Sequence, residues 1–84
     1  MTYTVLISQQ AEKFHKKLDE NAKARVTETL IVLEKQPYIG KRLHGELREN
    51  YSVRTGKLRI IYTISEKDKT IYIIAIGPRK TIYH

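Results

Sequence analysis

The sequence predicts an α+β fold of two layers, ordered β-α-α-β-β-β, with a helix hairpin packed on one face of a mainly antiparallel curved sheet. Three observations predict it. The chain opens on a run rich in β-branched residues, two apolar stripes of helical period follow between residues 9 and 36, and three strand-like runs occupy the stretch after residue 50. Eighty-four residues make a single domain over 1–84, with no lid or second lobe.

The first strand covers Thr2 to Ile7, and Ser8 ends it as a helix N-cap. Ala11, Phe14 and Leu18 then recur at helical spacing, predicting a short amphipathic helix over roughly 9–18. Asp19 or Asn21 caps a second helix, in which Ala22, Val26, Leu30 and Leu33 form one apolar stripe before Gln36-Pro37 stops it. Residues 37–50 hold Pro37, Gly40, Gly45 and Asn50 among charges, so they read as a connecting loop with one turn of helix. Strands are expected at about 51–55, 58–65 and 70–77, joined by a Gly56-Lys57 turn and by Glu66-Lys67-Asp68-Lys69. There is no internal repeat and no low-complexity segment.

Composition narrows the function. The absence of Cys excludes a disulfide framework, a thiolate metal site and a nucleophilic thiol. His15, His44 and His84 are scattered without metal-ligand spacing, so neither a metal nor another cofactor is expected. The start, Met1-Thr2-Tyr3-Thr4-Val5-Leu6-Ile7-Ser8, lacks the basic stretch of a signal peptide, and no run approaches bilayer length; a cytoplasmic protein without membrane contact is the expectation. The formal charge of +7 points to a polyanionic partner. It is unevenly placed: residues 1–36 carry six Lys/Arg against five Asp/Glu (+1), and residues 37–84 ten against four (+6). The basic half also holds Tyr38, Tyr51, Tyr62, Tyr72 and Tyr83, a mixture suited to stacking on bases as well as pairing with phosphates.

The segment Tyr51 to Tyr62 concentrates this signal. A two-residue type II′ turn with Gly56 first pairs Thr55 with Leu58, Arg54 with Arg59, Val53 with Ile60 and Tyr51 with Tyr62. Two cations then lie side by side, a destabilising arrangement unless it is well solvated or meets an anion. Continuing the register through the loop 66–69 without a bulge sets Tyr62 opposite Ile73, Ile60 opposite Ala75 and Arg59 opposite Ile76. Tyr51, Val53, Ile60, Tyr62, Ile73 and Ala75 are then expected to face the helices, and Arg54, Arg59, Ile61, Tyr72, Ile74 and Ile76 the other way. Gly77-Pro78-Arg79 brings Arg79 to the same end of the sheet as Arg54 and Arg59.

Clustered guanidiniums suit a phosphorane in which negative charge grows, and the reaction they fit is RNA cleavage without a metal. A base takes the 2′-hydroxyl proton, the 2′-oxygen attacks phosphorus, and an acid protonates the leaving 5′-oxygen. Arginine is a poor base at a pKa above about 12. The candidate proton carriers are Tyr83, His84 and Glu46, each with a plain alternative in packing, chain-end mobility or a loop ion pair.

The segments Lys41-Arg42-Leu43-His44-Gly45-Glu46-Leu47, Tyr51-Ser52-Val53-Arg54, Leu58-Arg59-Ile60-Ile61-Tyr62 and Ile76-Gly77-Pro78-Arg79-Lys80-Thr81-Ile82-Tyr83, in this order of elements, closely resemble the RelE/ParE toxin superfamily on its RelE side. The resemblance spans nearly the whole chain. It implies a RelE-like fold and the toxin of a type II toxin–antitoxin pair: an mRNA interferase that cuts mRNA in the ribosomal A site and so inhibits translation. The implied partners are mRNA on the ribosome and a cognate acidic, RelB-like antitoxin, with operator DNA reached only through the antitoxin complex. On the superfamily's pattern Arg59 and Arg79 match the arginines at the scissile phosphate, Arg54 a basic position on the preceding strand, and Tyr83 a C-terminal tyrosine that stacks or moves a proton. Lys41, Arg42, Arg48, Ser52, Lys57 and Lys80 are expected to contact RNA. Ser52 stands where well-known relatives carry a Lys proposed as general base, and the ending Tyr83-His84 reverses the His-Tyr of some relatives. The base therefore stays open. Two other functions remain in view, a ParE-like toxin that inhibits DNA gyrase through protein contacts and a basic nucleic-acid-binding module that cuts nothing.

Overall fold

A computed structural model describes residues 2–45 and 49–78. The elements are β1 (Thr4–Ile7), α1 (Gln9–Lys16), α2 (Glu20–Lys35), a 3₁₀ turn (Pro37–Ile39), β2 (Lys41–Arg42), β3 (Tyr51–Thr55), β4 (Leu58–Ser65) and β5 (Thr70–Pro78). They build a five-stranded sheet in the order β1-β5-β4-β3-β2, with β1 parallel to β5 and the other neighbours antiparallel.

Both helix starts follow from their caps. The Ser8 hydroxyl accepts from the Ala11 amide at 3.1 Å, and the Asp19 carboxylate accepts from the Ala22 amide at 2.8 Å, each satisfying a donor that the first turn leaves open. Ala11 on α1 and Val26 and Leu33 on α2 are fully buried against Ile60, Tyr62, Ile71 and Ile73 of the sheet. Val26, Leu33 and the isoleucines each contribute about 1.5–3 kcal/mol when taken out of water, and the Ala11 methyl less. No helix among the described residues is long and apolar enough to cross a membrane.

The β3–β4 hairpin has the register expected of it, including Arg54 opposite Arg59 and Val53 opposite Ile60. Gly56 sits at φ +63°, the left-handed region that the first central position of a type II′ turn requires. Two features of the sheet differ from the expectation. First, the stretch after Ile39 is not wholly loop, because Lys41 and Arg42 pair with Ser52 and Tyr51 as a fifth, edge strand. A two-residue strand is too short for periodicity to reveal. Second, β5 is bulged. Ser65 pairs with Thr70 and Tyr62 with Ile73, yet Ile61 pairs with Ala75, leaving Ile74 as the extra residue. From there the expected pairing slips by one: Ile60 faces Ile76 rather than Ala75, and Arg59 faces Gly77 rather than Ile76. Ile76 accordingly joins the core at 5% exposure, and Ala75 takes the opposite face. The reason is packing, since the shift puts an isoleucine under the helices in place of an alanine.

Candidate functional site

The sheet face turned away from the helices carries Lys41 on β2, Ser52 and Arg54 on β3, and Arg59 on β4. Their placement follows from the register alone: Lys41 is directly opposite Ser52, and Arg54 directly opposite Arg59. Across β5 the neighbour of Arg59 is Gly77, which adds no side chain to that spot. The result is a hollow of about 360 Å³ lined by Ile39, Gly40, Lys41, Ser52, Val53, Arg54 and Arg59. Among these described lining residues three are cationic and none is acidic.

One guanidinium is fixed from below. Arg59 Nη1 donates to Ser52 Oγ at 2.9 Å, and Ser52 is itself 3% exposed. A short, buried hydroxyl thus holds the fork of Arg59 in place instead of reaching the ligand space itself. Arg54 is exposed at the rim, as is Lys41. The approach of Lys41 is set by Gly40 and Tyr62. The Tyr62 hydroxyl donates to the Pro37 carbonyl at 2.7 Å and accepts from the Gly40 amide at 3.1 Å, anchoring the chain one residue before β2. A Cβ at position 40 would collide with that hydroxyl and lie 2.9 Å from the Ser52 carbonyl oxygen, so only glycine fits. Burial pushes the Tyr62 phenol up, partly offset by the Gly40 N–H.

The remaining expected site residues divide in two. Arg42 pairs with Tyr51 and so faces the helix side, away from Lys41, because successive strand residues alternate. Lys57 sits at the hairpin tip and lines a separate hollow of about 260 Å³ on the helix side, with Arg25, Leu18, Ala22 and Leu58. Those two expected RNA contacts are therefore not part of the cationic hollow. Glu46, Arg48, Arg79, Lys80, Tyr83 and His84 lie outside the described residues. The contribution of Gly40 and Tyr62 escaped sequence reasoning; a glycine two residues beyond a Pro-Tyr pair is the one local hint of a close approach.

At the opposite end of the sheet a second polar cluster forms around Glu66. The Tyr3 hydroxyl donates to both carboxylate oxygens at 2.8 Å, the Tyr38 hydroxyl donates to Oε2, and Lys69 Nζ lies 2.7 Å from Oε1. Tyr38 also meets the Tyr51 ring edge-on at 5.7 Å, and Tyr51 stacks on Tyr62 at 5.6 Å. The Lys69 ammonium, then the Tyr38 and Tyr3 hydroxyls, hold the Glu66 carboxyl down at about 2. The same carboxylate pushes the Tyr38 phenol up to about 12.

Residues 5–83 match the family described as ParE toxin of type II toxin-antitoxin system, parDE. Toxin RelG of Mycobacterium tuberculosis is 33% identical over 85 residues, covering 99% of this chain and 98% of the relative. The toxin–antitoxin complex RelBE2 from the same organism superposes with a TM-score of 0.87 at 31% identity, over 94% of this chain and 100% of the matched one. The archaeal RelE–RelB complex of Pyrococcus horikoshii gives 0.79 at 33% identity, over 96% of this chain and 99% of the other.

Proposed function

The chain belongs to the ParE toxin family within the RelE/ParE superfamily and is a toxin of the type II toxin–antitoxin class; on that premise we propose that it is an endoribonuclease that cuts mRNA in the ribosomal A site. The observation that carries the reading is the gathering of Lys41, Arg54 and Arg59 around one hollow on the helix-free face of the sheet. Such a site fits the doubly charged phosphorane of an RNA backbone under internal attack. The 2′-oxygen forms a bond to phosphorus, the bond to the 5′-oxygen breaks, and the products are a 2′,3′-cyclic phosphate and a 5′-hydroxyl. The proton leaves the 2′-hydroxyl for a base and returns to the 5′-oxygen from an acid. Arg59, tethered by Ser52, meets the charge that grows on the equatorial oxygens, and Arg54 shares it. Arg79 is assigned the same task from the end of the chain, with Tyr83, His84 and Glu46 as the proton carriers. The chemistry needs no metal or other cofactor, and DNA, lacking the 2′-hydroxyl, is not a substrate.

Relatives described as toxin–antitoxin complexes support an antitoxin partner, and a cationic hollow calls for an acidic segment laid across it. Brief expression followed by primer extension on cellular mRNA tests the activity. Cuts in register with codons inside translated frames are expected, and intact mRNA during growth arrest overturns the reading. The match to the ParE model favours one competitor, a toxin that blocks DNA gyrase by protein contacts. Inhibition of purified gyrase in a supercoiling assay, with mRNA left whole, is its signature.

A further inference from the structure

We propose that Lys41 is a catalytic residue, whose ammonium meets the reacting phosphate from the edge strand β2 and, opposite Arg54 and Arg59, completes a cationic grip of three side chains. The inference rests on the nuclease reading and gives Lys41 a task beyond general attraction of RNA. Three observations place it there. Lys41 is the direct partner of Ser52, and Ser52 is the residue that holds Arg59, so one cross-strand step separates the lysine from the anchored guanidinium. Ser52 is small and nearly buried, which leaves the space above it to the hollow that Lys41 lines. Lys41 is also placed by the backbone: the Gly40 amide is bound by the Tyr62 hydroxyl, and the strand pairing fixes the next residue. A lysine on a free loop has no such restraint. Electrostatic catalysis favours such placement, because the backbone brings the lysine to the hollow and leaves only its side chain to settle on the phosphate.

The geometry also separates Lys41 from the other cations. Arg54 and Arg59 enter the hollow from adjacent strands at one side, and Lys41 from the far side of Ser52. A phosphate seated between them is held on two flanks. Its position is fixed as well as its charge, whereas the arginine pair alone would leave it able to slide toward the sheet edge.

The chain has no cysteine, which permits a test by chemical replacement. Lys41 is exposed, so a thiol placed there can be alkylated in the folded protein. Lys41→Cys is compared with the unaltered chain on ribosomes programmed with a short mRNA, under single-turnover conditions. Cleavage is expected to fall about 100-fold, the usual loss on removing one donor to a developing anion. Treatment with 2-bromoethylamine rebuilds a positive side chain nearly the length of lysine and is expected to recover the rate to within about 10-fold, on the same scale of donor contributions. Treatment with iodoacetamide, which leaves a neutral side chain, is expected to recover nothing. Lys67→Cys, at an exposed cation in the β4–β5 turn, removes the same charge from elsewhere and is expected to cleave like the unaltered chain. Recovery by the cationic adduct also demonstrates a folded protein. The proposal is overturned if Lys41→Cys cleaves at the original rate, if both adducts behave alike, or if Lys67→Cys loses as much. Arg59→Ala, run in parallel, separates the failures. An unaltered chain that cuts nothing ends the nuclease reading and this inference together; a chain that cuts, loses cleavage with Arg59→Ala and ignores Lys41→Cys ends this inference alone.

Discussion

Two polar clusters sit at opposite ends of the same sheet, and they are built on opposite rules. Around Glu66 a single carboxylate is matched by two phenols and an ammonium, so every charge has a counterpart inside the protein. Around Ser52 the described lining residues gather cations of one sign. The first cluster joins the N-terminal segment, the 3₁₀ turn and the β4–β5 turn, and its chemistry is complete as folded. The second has no acidic residue among its described lining residues and suits an anion. Self-neutralised charge marks a place where the chain holds itself; like charge collected on ordered strands marks a place that holds something else.

The comparison can be broken most forcefully by Arg59→Ala. It removes one of the two arginines of the cationic grip and is expected to lower cleavage about 100- to 1000-fold, with a stability loss of only about 1 kcal/mol from the Ser52 hydrogen bond by urea titration. A variant that still arrests growth would show that the hollow is not the working site. Gly40→Ala comes next, because it joins the two regions: the added methyl collides with the Tyr62 hydroxyl and presses on β3. Overpacking of this kind costs about 1–3 kcal/mol, measurable by urea titration, and cleavage should fall with it as β2 shifts. Tyr62→Phe removes the hydroxyl that serves Pro37 and Gly40 and is expected to cost about 1 kcal/mol, again by denaturant titration.

Glu66→Gln is the mildest and sharpens the contrast most cleanly. The folded protein holds the Glu66 carboxyl below its ordinary 4.5, at about 2, so its stabilising effect is present above 4.5 and is lost as pH falls toward 2. Tyr38 runs the other way. Raised from 10 to about 12, it supports the fold below pH 10 and ceases to do so as pH climbs toward 12. The substitution should flatten the acid limb of a stability-versus-pH curve and leave cleavage at neutral pH unchanged. A loss of cleavage with Glu66→Gln would mean that the two ends of the sheet are coupled.

Local signals carried the parts of the molecule decided locally. Ser8 and Asp19 could be read as caps because a cap needs only a short polar side chain before an apolar stripe, and the structure uses both. Gly56 announced its turn for the same reason, and the hairpin register followed. Ile74 could not be read as a bulge, since Ile73, Ile74, Ala75 and Ile76 are all apolar and alternation is silent among them; fit against the helices chose the register. The Glu66 cluster was equally hidden. Its phenols stand 63 and 28 residues away in the chain, and no sequence pattern announces a contact at such separations. Of the candidate site, the Arg54–Arg59 pair was legible because turn chemistry fixes it. The separation of Lys41 from Arg42 was not, because it depended on a strand two residues long.

The odd residue in β5 works like a reading frame laid down in space. Ala75 and Ile76 owe their sides of the sheet to that one extra peptide unit. Pairing Ile74 regularly with Ile61, instead of bulging it out, would turn Ile76 out to water and drop Gly77 beneath the helices, with no letter altered. In this stretch the place where the surplus residue is absorbed decides which side chains reach the core.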